Sequence, residues 1–172
     1  EDRMTLVRAP SSTGGLANAY SALLNGACLF PFDVQTKGGA QKGCWLIEHN
    51  ITVYHSSATV FRHFVQTLEN NFDVPHLRLI RLGSEQVTKN EFQRFQQHFS
   101  PKCILVNALS CTEAITFCQN FLNRNSIVTG EIVPVGYPVP DMEVLLLDDP
   151  REAMETGESG EIAIRSEFLS PG

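Results

Sequence analysis

Three short stretches carry residue types whose placement could do chemistry. Leu82-Gly83-Ser84-Glu85 follows an alternating, strand-like run, and its glycine lets backbone approach a ligand closely. An ordinary strand-to-helix turn uses Gly-Ser equally well. Asn107-Ala108-Leu109-Ser110-Cys111-Thr112-Glu113 follows a second strand-like run and ends on a hydroxyl beside a carboxylate. Taken alone, Thr112-Glu113 is also the pair of a helix cap or of a solvated surface. Val133-Pro134-Val135-Gly136-Tyr137-Pro138-Val139-Pro140 opens the third stretch, which runs through Leu147-Asp148-Asp149 to Thr156-Gly157-Glu158-Ser159-Gly160-Glu161-Ile162. His55 follows Ile51-Thr52-Val53-Tyr54 at the C-terminal end of a strand, where open α/β sheets bind ligands. A satisfied polar residue at a strand end is the alternative reading.

Metal chemistry on histidine and cysteine is not indicated. The histidines (His49, His55, His63, His76, His98) show no ligand spacing. The cysteines (Cys28, Cys44, Cys103, Cys111, Cys118) are odd in number and scattered, with no Cys-x-x-Cys. Most are expected to be small buried side chains in a reduced, cytoplasmic setting.

The elements that must position these residues alternate. A helix over Leu16–Asn25, capped by Ser12 or Thr13 and ended by Gly26, leads to a short strand at Ala27–Phe30. A helix carrying Trp45, Leu46 and Ile47 precedes the strand Ile51–Tyr54. Val60, Phe61, Phe64, Val65 and Leu68 share one helical face, and Leu77–Leu82 alternates as a strand. Phe92, Phe95 and Phe99 recur on a helix started by Thr88, and Ile104–Val106 is a further strand. This order predicts an α/β domain, a parallel sheet flanked by helices. After about Thr129 Gly and Pro become dense. Met142–Leu147 and Glu161–Arg165 read as strands joined through a turn at Asp148-Asp149-Pro150, an antiparallel, barrel-type subdomain. The expected division is residues 1–128 for the α/β part and 129–172 for a partial barrel.

Composition narrows the function classes. With 42% hydrophobic residues the chain can bury a core. Lys+Arg number 13 against 19 Asp+Glu, a formal charge of -6, which argues against a general nucleic-acid or anionic-membrane binder. No apolar run approaches the ~18 residues of a membrane helix. The chain opens on Glu1 without a signal-peptide pattern and ends on Ser170-Pro171-Gly172, so it reads as a segment of a longer protein.

Together, and in this order, the three stretches resemble the adenylate-forming superfamily: acyl-CoA synthetases, luciferases and nonribosomal peptide synthetase adenylation domains. The resemblance covers nearly the whole chain and implies its central fragment. It implies activation of a small-molecule carboxylic acid by ATP, with pyrophosphate leaving and an acyl-adenylate remaining. A thiol, CoA or the phosphopantetheine of a carrier (thiolation) domain in the parent chain, then accepts the acyl group. The family pattern Asn-x-Tyr-Gly-x-Thr-Glu falls on Asn107 to Glu113. It implies that Thr112 bonds the α-phosphate and that Glu113 binds Mg2+, a hard ion that prefers carboxylate oxygen. Gly83, Ser84, Glu85, Asn107, Ala108 and Leu109 would surround the nucleotide. Thr13, Ala17, His55, Leu82 and Ala108 would line the acyl pocket.

The chain also departs from the family. Leu109 stands where an aromatic packs on adenine, which forgoes a stacking contribution of ~0.5–1.5 kcal/mol. Ser110 replaces the following glycine. Ser12-Thr13 stands where amino-acid-activating relatives carry Phe-Asp, so no carboxylate is supplied there for an α-ammonium. Phe32-Asp33 spells the same dipeptide but falls after the strand. An acid without a free α-amine is therefore expected. The lysine-ended phosphate loop has no match; Ser11-Ser12-Thr13-Gly14-Gly15 is closest in composition but opens the pocket helix. The ribose aspartate, the hinge and the lid lysine would lie beyond Gly172, so the segment alone is expected to be inactive. The leading reading is part of a modular synthetase. The alternatives are a stand-alone acyl-CoA ligase and a non-catalytic binding descendant. A dinucleotide-binding domain is disfavoured, since no Gly-x-Gly-x-x-Gly follows a strand.

Overall fold

The computed structural model describes residues 1–33, 40–68, 73–148, 157 and 159–169. In chain order the elements are β1 (Arg3–Leu6), α1 (Thr13–Leu24), β2 (Cys28–Pro31), α2 (Ala40–Glu48), β3 (Val53–Ser57), α3 (Ala58–Gln66) and β4 (Leu79–Gly83). They continue with α4 (Lys89–His98), β5 (Ile104–Cys111), β6 (Ile115–Leu122), β7 (Tyr137–Pro138), β8 (Glu143–Leu147) and β9 (Glu161–Arg165). One sheet has the order β2-β1-β3-β4-β5-β6-β7. Its pairs are parallel from β2 through β5 and antiparallel at β5–β6 and β6–β7. β8 and β9 form a separate antiparallel pair.

Local chemistry sets the helix starts. Ser12 caps α1 by accepting from the Gly15 N–H at 3.0 Å, and Gly26 leaves the helix at φ 68°. Ser57 caps α3 by accepting from the Val60 N–H. At α4 the Glu91 carboxylate accepts from the Thr88 N–H at 2.7 Å and from Arg62 Nε at 2.5 Å. The apolar stripes of α3 and α4 then close over one sheet face. Phe61, Phe64, Phe92, Phe95 and Phe99 meet Tyr54, Ile80, Leu82 and Leu105 in the main core.

Several boundaries differ from the sequence expectation. β3 begins at Val53 because Ile51 closes onto the end of α2, its N–H bonding Leu46 O at 3.0 Å. The strand runs on to Ser57, so His55 lies within it rather than after it. β5 continues to Cys111, so Asn107–Cys111 is strand, and only Thr112 to Ala114 form the turn into β6. β1, β6 and β7 were not anticipated. Ile132 bridges Thr88 and Tyr137–Pro138 extends the main sheet, so among the described residues of the Gly- and Pro-dense tail only β8 and β9 pair apart from it. Asp149-Pro150, Thr156, Glu158 and Ser170-Pro171-Gly172 lie outside the described residues. Cys103 and Cys118 are buried as expected, whereas Cys28, on edge strand β2, and Cys44, on the outer side of α2, are exposed. No helix among the described residues is long and apolar enough to cross a membrane.

Candidate functional site

Strand alternation sorts the sheet's side chains between its two faces. Tyr54, Ile80 and Leu82 enter the helix-covered core. His55, Arg81 and Gly83 instead line a cleft of about 680 Å³ roofed by Thr13, Ala17 and Asn18 of α1. A second cleft of about 300 Å³ sits at the C-terminal ends of β4 and β5. Its walls include Glu85, Val87, Asn107, Leu109, Val133 and Val135. Ser84, Ala108 and Ser110 line both, so the two clefts meet on that ridge.

Of the residues expected at an acyl pocket, Thr13, Ala17, His55 and Ala108 converge on the larger cleft. Leu82 does not. It is fully buried against the helices because its neighbours Arg81 and Gly83 take the cleft side of β4. Of those expected around a nucleotide, Gly83 lines the larger cleft, Glu85, Asn107 and Leu109 the smaller, and Ser84 and Ala108 both. Thr112 is on the larger cleft, while Glu113 is exposed in the β5–β6 turn and lines neither.

The ridge is tightly built. A Cβ at Gly83 would fall 3.1 Å from Ala108 O, so two strands approach where a side chain would obstruct. Asn107 spans from β5 to the Val-Pro segment, donating from Nδ2 to Val133 O at 2.9 Å and to Pro134 O at 3.2 Å. The Glu85 carboxylate accepts from the Thr59 N–H at 2.8 Å. The Thr59 side chain first, and then this N–H, hold it below the ordinary carboxyl range.

The larger cleft is rich in donors. His55 Nδ1 donates to Asn18 Oδ1, and the His55 backbone N–H donates to Thr5 Oγ1 at 2.9 Å. Burial, and then the charges of Arg81 and Arg8, push this imidazole down to about 3, so it is neutral. Arg81 donates to Thr116 Oγ1 at 2.6 Å. Arg8 donates to Ser84 Oγ at 2.8 Å and to Gly83 O at 3.2 Å. Burial lowers both guanidinium groups. Asp2 is engaged with Arg78 Nε at 2.8 Å, which holds its carboxyl at about 2. Arg8, Asn18, Arg81 and Thr116 were not anticipated. The available signal was a basic residue, Arg81, inside a strand that the topology makes central.

Fit to the implied ligands follows from the donor set. Among the described residues no cluster of three or more His, Cys, Asp or Glu could cage a metal. Mg2+ keeps several waters and binds through one or two carboxylates plus phosphate oxygens, so a single Glu113 near Thr112 suits it. The apolar walls of the smaller cleft suit a flat base.

The larger cleft runs along the sheet face beneath α1, from Val53 and Leu79 to Gly83, and joins the smaller one at the carboxyl ends of β4 and β5, where open α/β sheets bind ligands. The family described as AMP-binding enzyme matches residues 1–172, and the chain belongs to that family. It is 27% identical over 165 residues to surfactin synthase subunit 2 of Bacillus subtilis (strain 168), covering 95% of this chain and 4% of that protein. It is 28% identical over 100 residues to D-alanine--D-alanyl carrier protein ligase of Streptococcus equi subsp. equi (strain 4047), covering 58% of this chain and 19% of that one. The chain thus spans a small part of these relatives. Among solved structures, NpsA-ThdA, an artificially fused adenylation-PCP di-domain from Klebsiella oxytoca, superposes with a TM-score of 0.82 at 22% identity. That match covers 100% of this chain and 32% of the other.

Proposed function

We propose that the full-length protein is an ATP-dependent acyl-adenylating enzyme and that this chain forms the wall between its nucleotide and acid sites. In this reading the adenine lies in the smaller cleft against Leu109 and the Gly83-Ser84-Glu85 turn. The acid lies beneath α1 against Ala17, His55 and Ala108. Its carboxylate oxygen attacks the α-phosphorus, the bond to the β-phosphate oxygen breaks, and pyrophosphate leaves. Thr112 donates its hydroxyl to the α-phosphate. Glu113 would hold Mg2+, which when bound would offset charge on the phosphates. The rate gain comes from alignment across the ridge and from charge stabilisation.

The carrying observation is that the two clefts meet at Ser84, Ala108 and Ser110, with Thr112 on the rim. A carrier-bound phosphopantetheine thiol is the acceptor we favour, in a modular synthetase. This follows from the relatives: one is a synthase subunit and another a carrier protein ligase. CoA as acceptor is the second reading. Thr13 in place of a carboxylate favours an acid without a free α-amine. A reducing, cytoplasmic setting belongs to the same proposal and is supported by the free thiols among the described residues. The test is acid-dependent ATP–pyrophosphate exchange by the full-length protein across a broad acid panel. Exchange with at least one acid is expected, and none with any acid overturns the reading.

A further inference from the structure

The larger cleft presents donors in excess of acceptors. Among the described residues, three guanidinium groups line it, of Arg8, Arg78 and Arg81. Asp2, the one carboxylate among its described lining residues, is engaged with Arg78. Arg81 makes a neutral contact to Thr116, and Arg8 makes neutral contacts to Ser84 and Gly83. Glu85 acts on Arg8 through charge alone, and it lines the smaller cleft while bonded to Thr59.

Two buried donors on the larger cleft also have no hydrogen-bond partner, Arg8 Nε and Asn18 Nδ2. Asn18 is only 3% exposed. Its Oδ1 is already taken by His55, so its free end can only donate. Unmet buried donors are costly unless a ligand meets them. His55 offers no charge of its own, being held neutral by burial and then by the charges of Arg81 and Arg8.

From this we infer that the acid activated here carries a second anionic group, in the simplest case a second carboxylate, received in the larger cleft by Arg81 with Asn18 and Arg8 as further donors. The inference rests on the adenylating reading for which end of the acid reacts, and its geometry fits that reading. Thr112 and Ser84 mark the reacting end at the rim. Arg81 lies two strand residues below Gly83, roughly 7 Å along β4. A guanidinium matches a carboxylate in a two-bond fork, so charge and shape are read together. An acid ending in a methyl group would leave the Arg81 charge without a facing anion and the two free donors unmet.

The experiment uses the full-length protein and matched straight-chain probes: diacids, their half-amides, and monoacids of equal chain length. Binding is measured calorimetrically without ATP, and pyrophosphate exchange separately. At least one diacid should bind about a hundredfold more tightly than its half-amide and monoacid partners. Arg81→Gln should collapse that ratio, with the folded state checked by circular dichroism. Equal or tighter binding of the uncharged-tail acids by the wild type overturns the inference, whatever the variant does. A fall of equal size for all three probes in Arg81→Gln overturns it too. Arg81-dependent diacid binding without exchange by any acid supports the anion site and removes the adenylating reading instead.

Discussion

Arg8 donates from Nη1 to the Ser84 hydroxyl at 2.8 Å, so one side chain ties the segment after β1 to the turn after β4. Ser84 holds φ at 69° to make this turn, a left-handed conformation that costs a non-glycine residue roughly 1–2 kcal/mol. Ser84→Ala should lose the bond and keep the strain, while Ser84→Gly should lose both. The glycine variant should therefore be the more stable of the two by about 1 kcal/mol in urea unfolding. Equal stabilities would mean that the turn is not strained.

Glu113→Gln addresses the exposed carboxylate in the β5–β6 turn. Because Glu113 is solvent-facing and lines neither cleft, the variant should fold normally. Its exchange rate in the full-length protein should fall by ~10²–10³, the usual cost of one charge-stabilising group. Exchange near the wild-type rate would remove Glu113 from the proposed metal site.

Leu109→Tyr tests the smaller cleft. Leu109 is half-buried on its wall, so an aromatic ring there can restore stacking worth ~0.5–1.5 kcal/mol. ATP affinity, measured by calorimetry on the full-length protein, should rise up to about tenfold or stay level. Loss of ATP binding by a folded variant would put Leu109 off the base-binding wall.

Much of this arrangement was legible in local pattern. The capping residues Ser12 and Thr88 and the phenylalanine stripes of α3 and α4 each carry a short-range signal, and those elements formed where expected. β6 was not legible because Ile115–Leu122 mixes Gln119 and Asn120 into a run without clean alternation. Leu82 was placed at the pocket by the resemblance alone, as a residue near a strand end; strand phase decides its side, and a one-residue shift reverses it. Arg8 and Asn18 were missed because their roles arise from packing: Arg8 reaches the turn after β4, and Asn18 meets His55 across the cleft. Nothing local to either residue marks those distant partners.

His55 should make the fold acid-sensitive over a defined window. An unfolded histidine titrates near ~6.5, whereas folded His55 stays neutral down to about 3. The unfolded chain therefore binds more protons between these values. The contribution is complete above the unfolded value and is lost as pH falls toward the folded one, by at most ~1.4 kcal/mol per pH unit. His55→Gln removes the titration and keeps an amide that can face Asn18. Urea unfolding at about pH 7 and about pH 5, above most carboxyl titrations, should show a smaller drop in the variant. An equal drop in both proteins would assign the sensitivity to other groups.

Gly136 offers the sharpest backbone test, because the chain contains its own control. Gly136 has φ 78°, and a Cβ there would fall 2.3 Å from Gln119 O and 2.8 Å from the Asn120 Cα. These are backbone atoms of β6, which pairs with β7 at Gln119 and Tyr137, so neither side can yield without breaking the pairing. Gly26 has a similar φ of 68°, but a Cβ there would meet nothing within 4 Å. Gly26→Ala should thus carry only the conformational cost, about 1 kcal/mol. Gly136→Ala should carry that cost plus displacement of β7 and the Val-Pro segment bonded by Asn107, roughly 2–4 kcal/mol in all. Because Val133 and Val135 also wall the smaller cleft, Gly136→Ala should weaken ATP binding by the full-length protein where Gly26→Ala does not. Urea unfolding and calorimetry on the two variants side by side check both parts. Equal destabilisation by the two substitutions would mean that contact with β6 does not constrain Gly136.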